Sequence, residues 1–537
     1  MGAFIFHKTL YLFCLLSTFI GFSQQDFITG QLLDSTTNEP IVYATVRVKE
    51  KNIGVISNLD GSFRIPEEFK DFGSILEISS MGYVSKDIYL FKLVADKTNV
   101  IRLAPAVEIL DEVVLLGVRE TLKKSKAGKK MSAGRIVERA IKNIPLNYST
   151  APFNAIGYYR DFQLNEKKYN NLNEALFEVW DQGFGAFDFE TTKVRVLENK
   201  RNIDFPIDTI SQKPYDYKNR GKTIPGAHLD NYGGNEFTIL RVHDALRNNA
   251  INAYDYVNVF KTDFIKNHIF NKEDEVILNN KKLYKISFKK NADRITIKGN
   301  LFISQENFAI YKLEYAMYGN QNRRIEKRKR SKNRKQKETL LEIVVGYTPI
   351  DGFMYPNYHS MNNNFNVKEP PKFKVNEVHY RLEKRCFVIS LNNKANEKDA
   401  LRRNNYKLKY KDKRISIERI VHIEDEILLF PNPKIETLLF EEMTQLNKSD
   451  KKVSSNVNIE IKNIRDIDGN RIHESSYKLV KQYREFFVQR IITKPGVAPN
   501  DGLYMNKNVP IFKGQPLARP IYISDYWMNS PLPNIEE

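Results

Sequence analysis

Apolar and polar residues alternate in steps of two near the start of this chain, with Val42, Ala44, Val46 and Val48 on one side and Tyr43, Thr45, Arg47 and Lys49 on the other. That is the period of a half-buried strand, not of a helix. Lys51-Asn52-Ile53-Gly54 turns the chain, Asn58-Leu59-Asp60-Gly61 turns it again, and Phe63 and Ile65 resume the apolar side. A further strand over Ile75–Ser80 leads into Met81-Gly82-Tyr83. Short strands at this spacing predict that residues 26–104 form an antiparallel β-sandwich, internally complete in its turns and alternation, with Gly61 at positive φ.

The same positions carry a family resemblance. Gly30-Gln-Leu-Leu-Asp34, Glu39-Pro40, Ala44-Thr-Val46, Gly54, Ser57-Asn-Leu-Asp-Gly-Ser-Phe63 and Met81-Gly-Tyr83 resemble the carboxypeptidase regulatory-like domain. The resemblance implies a transthyretin-like sandwich of the kind that stands at the front of many envelope proteins, TonB-dependent receptors among them. It implies an accessory module and no peptidase activity. Ile109-Leu-Asp-Glu-Val-Val-Leu-Leu-Gly117 is similar to the segment that follows this module in those receptors. The rest of the chain does not fit a receptor plug and its many barrel strands.

Residues 105–131 read as a basic linker with Lys123, Lys124, Lys126, Lys129 and Lys130, and a helix is expected from Ser132 to Pro145. Strands rich in aromatic and β-branched residues follow over 153–163, 168–180, 275–278, 282–289, 295–304, 308–318, 340–348 and 377–391. The consecutive runs at 280–286, 297–303 and 309–314 read as an antiparallel meander, which resembles the half-barrel of lipoprotein-sorting carriers. The fold class expected is mainly β: a transthyretin- or immunoglobulin-like sandwich, then a larger antiparallel β-rich domain over 132–395 with a few helices. An α+β region over 396–537 completes it, with a helix over Tyr477–Ile491 and a Pro-rich tail pinned by Tyr522, Tyr526 and Trp527.

Met1–Lys8 is positively charged, Thr9–Ile20 is apolar, and Gly21-Phe22-Ser23 supplies small residues before Gln24. These features predict a signal peptide over 1–23 and a mature chain exported into a Gram-negative envelope, to the periplasm or the outer membrane. No later stretch is apolar for the roughly 18 residues of a membrane helix. Beyond the leader only Cys386 remains, inside an apolar strand-like run, so a buried inert thiol is expected and an intramolecular disulfide is excluded. The net charge is +19. With export, it points away from nucleic acid and towards an envelope protein partner, an anionic glycolipid or an acidic polysaccharide.

Chemistry is sparsely signalled. There is no Gly-x-Ser-x-Gly elbow, phosphate-binding glycine loop or cofactor motif. His422-Ile-Glu-Asp425 departs from a zinc-protease pattern, and the glycine of Asp466-Ile-Asp-Gly-Asn470 stands too early for a calcium loop, which leaves a hairpin turn. Asp181, Asp188 and Glu190 beside Trp180 and Phe184 are candidates for a glycosidase-like carboxylate pair. Ten of the fifteen positions in Arg323–Lys337 are Lys or Arg. Within that run Arg328, Lys329, Arg330, Lys332, Arg334 and Lys335 are the candidate residues for binding an anionic surface. Three readings follow: a non-enzymatic envelope binding or scaffold protein, a half-barrel carrier of a lipid or apolar ligand, and a hydrolase with an unrecognised site.

Overall fold

Strands β1 (Phe27–Asp34), β2 (Thr45–Val48), β3 (Ile53–Ile56), β4 (Ser62–Pro66), β5 (Ile75–Ser79), β6 (Lys86–Tyr89) and β7 (Asn99–Leu103) realise the expected sandwich as two sheets, β4-β1-β7 and β3-β2-β5-β6. All pairings are antiparallel except β1 with β7. Every second residue of β2 is buried, as the alternation predicts, and β1 is buried with the same period. Ile28, Leu32, Val46, Phe63 and Ile78 are fully enclosed, each stabilising the fold by roughly 1.5–3 kcal/mol. Gly61 has φ +76°, as its turn requires, and a Cβ at Gly30 would lie 2.2 Å from the Phe63 ring. The computed structural model describes residues 26–532 apart from 50, 52, 71–72, 107–130, 166–167, 213–217, 224–234, 253–256, 293–294, 320–338 and 448–453.

The sandwich core receives a side chain from the far end of the sequence. Trp527 packs 5.5 Å from the Phe69 ring, and its Nε1 donates to the Arg64 carbonyl at 2.8 Å. Asn529 accepts from the Arg64 N–H at 2.8 Å and donates to the Ile56 carbonyl at 2.9 Å. The Pro-rich tail is thus fixed by Tyr526 and Trp527, both buried, while Tyr522 is about a third exposed and donates to Glu178.

Eleven strands follow: β8 (Phe153–Asn165), β9 (Lys168–Asp181), β10 (Lys193–Arg201), β11 (Lys222–Thr223), β12 (Ile269–Lys272), β13 (Val276–Leu278), β14 (Lys281–Ala292), β15 (Ile295–Ser304), β16 (Ile310–Gly319), β17 (Thr339–Ile350) and β18 (Phe353–Lys368). Seven more come next: β19 (Val375–Arg381), β20 (Cys386–Leu391), β21 (Tyr406–Tyr410), β22 (Lys413–Ile415), β23 (Ile417–Ile423), β24 (Glu426–Pro431) and β25 (Val457–Ile461). The last strand, β26 (Tyr477–Ile492), enters the large sheet between β8 and β18. The order β10-β9-β8-β26-β18-β17-β16-β15-β14-β12 joins two antiparallel meanders into one open twelve-stranded sheet, with β11 on β18 and β13 on β14.

The helix expected over Tyr477–Ile491 is therefore a strand. Leu479, Tyr483, Phe486 and Phe487 sit at helical spacing, but a central strand covered on both faces loses its period of two and reads as a continuous run. Arg484 and Glu485, both fully buried, point to opposite faces of this strand. One face of the sheet packs on the helix Ala133–Lys142, which begins after Ser132 as expected, and on Phe237, Leu240 and Phe264. The opposite face meets Ile56 of the sandwich and Ala518 and Tyr526 of the tail.

The chain divides into two compact units: Met1–Asp208 with His228–Asn364 and Lys481–Glu537, and Thr209–Ala227 with Phe365–Val480. The second unit holds the sheets β19-β20-β24-β23 and β22-β21-β25 and the helix Pro433–Asn447 around Phe387, Ile389, Leu429 and Leu439. Cys386 is fully buried there, and burial pushes its thiol pKa up, consistent with an inert side chain. Asp466–Asn470 is a hairpin turn, with the Asn470 N–H donating to the Asp466 carboxylate at 2.7 Å and Gly469 at φ +85°.

Candidate binding groove

The central strands carry charges where a sheet ordinarily buries aliphatic residues. Register places Glu485 of β26 opposite Arg160 of β8, on the face that meets the sandwich. Arg160 Nε donates to Glu485 Oε2 at 2.6 Å, and its Nη1 donates to Asn58 Oδ1 in the sandwich turn at 2.5 Å. Glu485 Oε1 accepts from the Tyr43 hydroxyl at 2.9 Å. Burial disfavours the Arg160 charge, but the Glu485 carboxylate outweighs that and holds the guanidinium protonated. Tyr43 adopts φ +61° and its ring stacks on Tyr358 at 5.4 Å. The sandwich is thereby fastened to the sheet by buried, charge-assisted hydrogen bonds.

Beside this junction lies an open groove of about 630 Å³, walled by Tyr43 and Leu59 of the sandwich and floored by β14–β18. The registers align Ser287, Asn300, Glu314, Val344 and Ser360 in one row across its floor, and Lys289, Lys298, Ala316, Glu342 and Asn362 in the next. Its two acids are both neutralised. Glu314 pairs with Lys312 at 2.6 Å and accepts from Asn300 at 3.0 Å, while Glu342 pairs with Lys481 at 2.9 Å. Burial alone would raise the Glu314 pKa, yet Lys312 and Asn300 hold it below the usual carboxylate value. Glu314 is therefore not arranged to keep a proton for general acid chemistry. Asn362 is buried, and its Oδ1 has no hydrogen-bond partner among the described residues.

The sequence candidates fare differently. Asp181 and Asp188 come together, but around two arginines. Arg241 Nη2 lies 2.7 Å from Asp181 and 2.5 Å from Asp188, and Arg247 Nη2 lies 2.9 Å from Asp181. Burial pushes the Asp188 pKa up, but Arg241 and Arg247 outweigh it and bring the value down to about 2. The four side chains form a buried, ion-paired cluster, and Glu190 is exposed to solvent. Arg241 and Arg247 carry no motif, so nothing in the sequence marks them as partners of these acids. Among the described residues no group of three His, Cys, Asp or Glu side chains is placed to hold a metal ion. No helix among them is long and apolar enough to cross a membrane. Arg328, Lys329, Arg330, Lys332, Arg334 and Lys335 lie outside the described residues, in the segment that joins β16 to β17.

Residues 28–115 match the family model of the CarboxypepD_reg-like domain. This stretch is a CarboxypepD_reg-like domain. The TonB-dependent receptor SusC of Bacteroides thetaiotaomicron is 36% identical over 111 residues, which are 21% of this chain and 10% of the receptor. The chain thus spans about a tenth of that relative's length, and the similarity is confined to the N-terminal region that holds the CarboxypepD_reg-like domain. Two solved structures each cover 43% of this chain. One is a LolA superfamily protein from Nitrosomonas europaea (12% identity, 86% of that chain, TM-score 0.20). The other is a DUF1329 family protein from Desulfovibrio piger (5% identity, 87% of that chain, TM-score 0.21). In this chain the CarboxypepD_reg-like domain supplies Tyr43 and Leu59 to the groove wall.

Proposed function

We propose that this chain is a non-enzymatic binding protein of the cell envelope, in which the CarboxypepD_reg-like domain forms one wall of a ligand groove. The groove carries this reading: its volume falls in the roughly 300–1,000 Å³ range of ligand sites, and its acids are held as ion pairs. The leader-like Met1–Ser23 and the kinship of the module to one in a TonB-dependent receptor support export to the envelope. The helix-covered face does not favour the apolar-carrier reading. Two cavities lined by its residues, such as Phe237 and Arg241, measure only about 20 Å³ each, room for about one water and no acyl chain.

The test uses the full-length purified protein and the variant Ala316→Trp, which fills the groove floor. Both are incubated with glycan and lipid fractions of the envelope, and retained molecules are identified by mass. The proposal expects a ligand retained by the parent, returned with its mass unchanged, and lost by the variant at an unaltered melting temperature. Equal retention by both, or return of a cleaved ligand, would overturn it.

A further inference from the structure

The groove floor contains an unneutralised pair of like charges. Lys289 and Lys298 are directly opposite each other across β14 and β15, both exposed, and neither has an ion-pair partner among the described residues. Side chains so placed start about 5 Å apart at Cβ, and like charges there destabilise a sheet. Nearby acids offer no relief, because Glu314 is held by Lys312 and Glu342 by Lys481. The same row ends at Asn362, whose buried Oδ1 is an unmet acceptor facing the groove. An acceptor left without a donor costs free energy that a ligand hydroxyl recovers. From Lys298 to Asn362 are three strand spacings of about 4.8 Å, roughly 14 Å in all. Amide and hydroxyl side chains, Asn300 and Ser360, and the Tyr318 ring line the way.

Resting on the reading of this groove as a ligand site, we propose that it takes an anionic oligosaccharide. The carboxylate or phosphate of one sugar sits between Lys289 and Lys298, and a hydroxyl of a sugar two to three rings away donates to Asn362 Oδ1. The lysines select the charge. Asn362 and the polar floor recognise the hydroxyl-rich chain. An apolar ligand would leave both lysines and the amide unanswered, and a bare anion would leave Asn362 unmet.

The experiment is calorimetric titration of the full-length protein with a trisaccharide of uronic acid, a phosphorylated trisaccharide and a neutral one. Binding of either acidic sugar in preference to the neutral one is expected, the two arms distinguishing carboxylate from phosphate. The double variant K289Q/K298Q should weaken that binding about tenfold to a hundredfold, the loss of two charge-assisted hydrogen bonds. It should not lower the melting temperature, since it removes a repulsion. Asn362→Leu should weaken acidic and neutral sugars alike. Acidic sugars bound no better than the neutral one, or bound equally by the double variant, would overturn the anion assignment. If the neutral sugar still binds and Ala316→Trp abolishes it, the groove remains a ligand site of another chemistry. If no sugar binds and Ala316→Trp retains every envelope molecule the parent retains, both proposals fall.

Discussion

Arg160 and Glu485, separated by 325 positions in the sequence, lie in contact at 2.6 Å with both side chains fully excluded from solvent. Asn58 and Tyr43 of the CarboxypepD_reg-like domain complete the cluster. Removing one partner of such a pair leaves an unpaired buried charge, which costs about 3–5 kcal/mol. Glu485→Leu is therefore expected to destabilise the protein by that amount in denaturant unfolding. The double change Arg160→Met with Glu485→Leu should recover much of the loss, because neither charge then remains. A double variant as unstable as the single one would show that the pair is not coupled as the geometry requires.

Trp527 supplies the second prediction. Its indole lies in the sandwich core against Phe69. Trp527→Ala should cost about 3–5 kcal/mol, the range for deleting a large buried aromatic. Hydrogen exchange would place the loss, with amides of β1 and β4 exchanging faster while those of β20 and β24 stay unchanged. Uniform exchange rates in parent and variant would show that the tail adds nothing to the module.

Gly61 makes a local prediction. At φ +76° a side chain is strained, and a Cβ would meet the Leu32 carbonyl oxygen at 2.4 Å. Gly61→Val is expected to destabilise the module by about 1–3 kcal/mol, read as a lowered melting temperature. An unchanged melting temperature would contradict the turn.

Asp161 makes the pH prediction. Burial first, and the Glu236 charge second, raise its pKa from 3.8 to about 7, against the opposing effects of Asn173, Arg484 and Tyr159. A folded pKa above the unfolded one means the folded state binds more protons between about 4 and 7. The stability from protonated Asp161 is thus complete below about pH 4 and lost as pH rises through about 7. Asp161→Asn removes the titration while keeping the shape. The variant should gain on the parent as pH rises from 4 to 8, by on the order of 4 kcal/mol at most. Melting temperatures at both ends of that range check the sign, and a parent-to-variant difference that does not change with pH would sink it.

Local chemistry is legible in the amino-acid sequence itself. The turn at Asn58–Gly61, the alternation in β2, the helix after Ser132 and the β14–β16 meander are each set within a dozen or so residues, where propensity and periodicity act. The identity of the CarboxypepD_reg-like domain belongs with them, because its turns need particular residues at particular places. The choice between helix and strand at Tyr477–Ile492 does not, since burial on both faces erases the period that would have told them apart. The pairing of Asp181 and Asp188 with Arg241 and Arg247, and the meeting of Tyr43, Arg160 and Glu485, were decided by the tertiary structure alone. Whether a carboxylate is a reactive acid or half of a buried ion pair depends on which cation stands within about 4 Å of it. In this chain those cations arrive from distant strands and helices, at separations that no sequence period encodes.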